Sequence, residues 1–133
     1  MARIEWAQLC ETAFLDDSDR LCLIGITTRL RVPSLPIAVH HLMIAARVVE
    51  LRGRETIDVG VSITTPSGEC PSPNDPECLD IEVAADYILV TLRNLPLVEE
   101  GIYSFGISLG ADPPVTIAVP VLLISRPAHV PVH

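Results

Sequence analysis

Thr56-Ile57-Asp58-Val59-Gly60-Val61-Ser62-Ile63-Thr64 decides the fold class. Ile57, Val59, Val61 and Ile63 recur at every second position, and Thr, Asp, Gly and Ser fill the places between. A strand points successive side chains to opposite faces, so this stretch predicts a half-buried strand. Tyr103-Ser104-Phe105-Gly106-Ile107-Ser108-Leu109 repeats the pattern, with an outer side of Ser and Gly small enough for something to lie close against it.

Working outward, other segments are apolar on both sides: Leu21 to Ile26, His41 to Val49, Tyr87 to Leu92 and Val115 to Ile124. Their lengths and β-branching favour strands, although the Ala, Leu and Met of 40–49 keep a helix open there. The breaks between segments are marked. Asp16-Asp17-Ser18-Asp19 separates the first two strands, and Val32-Pro33-Ser34-Leu35-Pro36 forms an irregular connector. Arg52-Gly53-Arg54 reads as a hairpin turn, Pro66 starts a long loop running to Leu79, and Gly110 to Pro114 closes the last hairpin. About eight strands at this spacing predict an all-β, antiparallel two-layer sandwich over residues 1–124, with 125–133 as an extended tail.

Composition narrows the function classes. The chain has 133 residues, a net charge of −8, and arginine as its only fixed cation. An acidic chain with scattered arginines disfavours nucleic acid. No apolar run reaches the length of a spanning helix and no secretion signal is visible, so the expectation is a cytoplasmic protein off the membrane, with mostly reduced cysteines.

The pattern Ile4-Glu5-Trp6-Ala7-Gln8-Leu9-Cys10, then Ala13, the acidic turn and Leu21 to Ile26, continues through Val32-Pro33 and Leu35-Pro36 to His40 or His41. With Leu95-Pro96 and Glu100-Gly101-Ile102-Tyr103-Ser104-Phe105, it resembles an uncharacterised bacterial family of short β-sandwich proteins, a domain of unknown function. The second stretch also looks like the corner before a late strand of immunoglobulin-like domains. The resemblance implies a sandwich and supplies no catalytic residues. The Gly101-x-Tyr103 corner has its own physical reading. Glycine allows a tight entry, and a tyrosine ring can enter the core while its hydroxyl returns to the backbone.

Several residues invite a chemical role. Seven residues separate Cys70 and Cys78, which is no zinc spacing, though a local disulfide would remove roughly 2–3 kcal/mol of unfolded-state freedom. A hairpin turning at Asp17-Ser18 sets Cys10 opposite Gly25 and Cys22 opposite Ala13, too far offset to bond. Asp16, Asp17 and Asp19 crowd one turn and could contribute to calcium, but aspartate is also a good turn former. His40 and His41, as strand neighbours, point to opposite faces, so one is expected at the core or an interface. No nucleophile elbow, metalloprotease motif or phosphate-binding glycine loop is present, and no enzyme is expected.

The surplus of apolar strand surface weighs most. A lone sandwich buries one face of each strand, and apolar patches left outside mark interfaces. Pro120 suggests that the last strand lies at an edge. The expected function is therefore a non-enzymatic interaction or structural module, a homo-oligomer without cofactor. Its contact is expected at Ile117, Val119, Val121, Leu122 and Ile124, with Ser104, Gly106 and Ser108 as a second flat surface. The alternative is a ligand- or calcium-binding sandwich using the acidic turn and the 66–79 loop.

Overall fold

The computed structural model describes residues 2–50, 58–69 and 78–124. Within them lie nine strands and no helix: β1 (Arg3–Leu15), β2 (Leu21–Ile26), β3 (Leu30–Val32), β4 (Ile37–Val49), β5 (Val59–Thr64), β6 (Leu79–Ala84), β7 (Tyr87–Leu97), β8 (Gly101–Leu109) and β9 (Val115–Leu123). They form two sheets, ordered β2-β1-β4-β7-β6 and β3-β9-β8-β5. All pairings are antiparallel except the short parallel ladder of β3 on β9. The 40–49 segment, where a helix remained open, is strand β4. Its central place, paired with β1 on one side and β7 on the other, overrides the helical preference of its Ala and Leu residues.

The main core lies between the sheets. Leu42, Ile44, Ala46 and Val48 of β4 and Ile88, Val90 and Leu92 of β7 meet Tyr103, Phe105 and Ile107 of β8 and Val119 and Val121 of β9. Tyr103 and Phe105 are fully enclosed, so the core spends its few aromatics where they remove the most surface from water.

Two irregularities re-aim whole segments. In β1 the register shifts between Ile4 and Trp6. Ile4 packs against the main core, as do Ala7 and Leu9 beyond the shift, while Trp6 turns to the opposite face. The second irregularity is matched on two strands. Val39 and Leu42 both meet the core, and so do Leu95 and Leu92 opposite them, although each pair is three residues apart. Asn94 takes a left-handed φ of 53°, so β4 and β7 switch face together and keep their register. His40 and His41 consequently both lie exposed in the single chain, so of the expectation that one faces the core or an interface, the core half does not hold.

The first hairpin also departs from expectation. Cys10 stands opposite Ile26 and Cys22 opposite Phe14. The loop between Leu15 and Leu21 holds five residues, with Asp19 at φ 58°, which displaces the pairing by one step from a turn centred on Asp17-Ser18.

The tyrosine corner is formed. The Tyr103 hydroxyl accepts the backbone N–H groups of Val98 at 2.9 Å and Glu99 at 3.3 Å. Gly101 enters the corner at φ 131°, where a side chain would meet Pro66 at 2.7 Å.

Candidate functional site

The C-terminal strand is not the surface its apolar composition suggests. Val119 and Val121 are fully buried in the main core, and Ile117 packs partly against it. This corrects their assignment to an intermolecular interface: β9 alternates, and Ile117, Val119 and Val121 point inward. Nor is β9 an outer strand, since β3 covers Val121, Leu122 and Leu123. Leu122 and Ile124 do remain exposed at its end.

The Ser104–Ser108 surface is flat because it fills itself. Gly106 stands opposite Ser62 and Gly60 opposite Ser108. A Cβ on Gly106 would collide with the Ser62 Oγ, and one on Gly60 would lie 2.7 Å from the Ser108 Oγ. Each serine leans over the glycine across from it. Gly106 is buried and cannot take part in an external contact.

The apolar surplus sits instead on the outside of the five-stranded sheet. Cys10, Ala13, Met43, Ala45 and Leu89 form a second buried cluster, rimmed by the half-buried Trp6, Leu21, Leu23 and Tyr87. These residues alternate along β4 and β7 with those of the main core, so they occupy the other face. That alternation explains why both strands are apolar on both sides. The register lays the face out in rows: Trp6, Arg47 and Tyr87 in one, Gln8, Ala45 and Leu89 in the next, and Ile26, Cys10 and Met43 in a third. Ile26 is 56% exposed at the end of its row. The Trp6 and Tyr87 rings stand 6.4 Å apart. Arg47 is neutralised by Glu5, with Nη1 and Oε2 2.6 Å apart. No described residue outside the five-stranded sheet belongs to this cluster. Burial pushes the Cys10 thiol up, so it rests there as an apolar group.

The acidic turn is a structural cap. Asp16 Oδ1 accepts the N–H groups of Ser18 and Arg20, each at 2.9 Å, and Oδ2 pairs with the Arg20 Nε at 2.8 Å. Chiefly the Arg20 backbone N–H, then that of Ser18 and the Arg20 side chain, hold the Asp16 carboxyl below its ordinary range. Among the described residues no group of three or more His, Cys, Asp or Glu side chains is placed to hold a metal. Within the described residues Asp16 serves the turn, and Asp16, Asp17 and Asp19 form no calcium set by themselves. Cys70, and with it the possible disulfide to Cys78, lies outside the described residues, as do most of the 66–79 loop, Arg52-Gly53-Arg54 and the 125–133 tail.

A pocket of about 460 Å³ opens beside β3, between β1 and β4. Leu30, Val39 and Leu42 form its apolar part, and Glu11, Arg29, Arg31 and His41 its polar walls. No motif pointed to it, because its residues come from three separate stretches of the chain. The one legible sign was the Arg29-Leu30-Arg31 alternation, which sets two cations on one side of a strand.

The sequence model of a family described as "Family of unknown function (DUF6941)" matches residues 5–122. No curated protein matches. Among solved structures the chain is similar to the M1 domain from titin, at 7% identity and a TM-score of 0.35, over 64% of this chain and 79% of that one. The fold is immunoglobulin-like: two packed sheets, a Greek-key strand order and a tyrosine corner. No helix among the described residues is long and apolar enough to cross a membrane.

Proposed function

The chain belongs to the family of unknown function DUF6941, and from that premise, which hands it no activity, we propose that it is a non-enzymatic, self-associating protein–protein contact module. The observation that carries this reading is the partly exposed apolar rim on the outside of the five-stranded sheet: the half-buried Trp6, Leu21, Leu23 and Tyr87 around the buried second cluster, with Ile26 exposed beside them. Trp and Tyr are the side chains that most often anchor interfaces, because they offer large rigid area at low entropic cost.

The occupant is taken to be a second copy of the chain, and charge restricts how it can dock. A net charge of −8 repels a second copy over most orientations. The centre of this face carries a single cation, Arg47, already matched by Glu5. The acidic residues Asp80 and Glu82 lie on β6, at the far margin from Ile26. A neutral apolar patch with an off-centre charged rim suits a two-fold contact, in which each patch meets its own image. The module is taken as cytoplasmic and bacterial as part of the same proposal.

Ile26→Glu tests it, since Ile26 is exposed in the single chain and its replacement leaves both cores intact. Light scattering on the wild type is expected to give a dimer, and on Ile26→Glu a monomer with an unchanged unfolding curve. A wild type that stays monomeric at every concentration, or an Ile26→Glu dimer as tight as the wild type, overturns the assignment.

A further inference from the structure

Three of the chain's arginines are matched to carboxylates: Arg20 to Asp16, Arg47 to Glu5 and Arg93 to Asp80. Arg3, Arg29 and Arg31 are not, although acidic residues outnumber basic ones by 17 to 9 in the whole chain, and of these three only Arg29 and Arg31 share a pocket. Among the described residues neither makes an ion pair within 4.0 Å, and both line the same 460 Å³ pocket. The pocket lies in the size range that holds small molecules. Local structure places them there. Leu30 and Val32 turn into the main core, so the residues flanking Leu30 face the other way. His41 reaches the same pocket because of the face switch in β4, which leaves it exposed.

From this juxtaposition we propose that the pocket binds a small organic oxyanion, with a carboxylate or phosphate head between Arg29 and Arg31 and a short apolar body against the partly exposed Leu30 and Val39. Guanidinium groups present forked donors that match such heads in pairs. The apolar wall gives no partner to a fully hydrated ion, so the body contributes what the head alone lacks. Glu11 sets the selectivity. Its side chain lies where a Cβ of Gly25 would stand, 2.8 Å from that point, so the glycine makes room for a carboxylate at the pocket wall. That negative charge opposes any further anionic group on the ligand beyond the head. The inference does not depend on self-association, because none of these residues belongs to the Trp6 cluster.

The experiment is a calorimetric titration of the full chain with three probes: hexanoate, acetate and inorganic phosphate. Hexanoate is expected to bind saturably and more tightly than acetate. The Arg29→Gln/Arg31→Gln double variant is expected to weaken hexanoate by about tenfold or more. Arg20→Gln, a change at the distant turn, leaves binding unaltered, and Glu11→Gln tightens it. Phosphate binding above acetate assigns a phosphate head, and the reverse a carboxylate head. The melting temperature without ligand checks that the double variant is folded. Absence of saturable binding by both hexanoate and phosphate, or equal binding by the folded double variant, overturns the proposal.

Discussion

Tyr103 shows how one side chain fixes the meeting of two strands. Its ring is enclosed in the core and its hydroxyl takes two backbone N–H groups of the β7–β8 corner. Tyr103→Phe keeps the ring and removes the acceptor, so urea unfolding is expected to show a loss of about 1–2 kcal/mol. This role was legible in Gly101-x-Tyr103, because the pattern states its own geometry. The Asp16 role was not, since a turn cap and a cation ligand use the same residue. Asp16 also makes a pH prediction. Its folded pKa is lowered, so its contribution is complete above the ordinary aspartate range and is lost as pH falls through the lowered value. Carboxyl NMR titration should place Asp16 below an unperturbed aspartate, and Asp16→Asn should lose stability at neutral pH with little further change on acidification. An Asp16 carboxyl titrating in the ordinary range contradicts the capping role.

At the scale of the strand, period-2 reading succeeds where the chain is regular and fails where a residue is inserted. β5 and β8 were legible because each alternates without interruption. The shift in β1 before Trp6 and the paired switch at His40 and Asn94 leave no mark in composition, yet they decide which face Trp6 and His41 occupy. β9 failed for a different reason. A strand apolar on both sides does not say which side faces the core, and Val121 faces it while Leu122 does not. The two neighbours therefore separate in their response. Val121→Glu buries an unpaired charge and is expected to cost about 4 kcal/mol or more, enough to unfold a marginal domain. Leu122→Glu, at 42% exposure, should change stability by about 0.5 kcal/mol or less. Thermal melts of the pair decide the matter, and similar melting temperatures would contradict the placement of Val121.

For the molecule as a whole, the surplus of apolar residues was legible and its location was not. The count of two-sided strands correctly exceeds what one interlayer core can absorb. Placing the excess needs the strand order, and β4 and β7 become the centre of a five-stranded sheet only through pairings far apart in sequence. The Arg29–Arg31 pocket was hidden for the same reason. Trp6, the single tryptophan, sits half-buried at the rim of the proposed contact, so its emission reports directly on that face. Emission should be followed on dilution alongside the mass in solution. Self-association through the five-stranded sheet predicts a red shift as the dimer separates, following the fall in mass. An emission maximum that stays fixed while the mass halves, or a mass of one chain throughout, contradicts it.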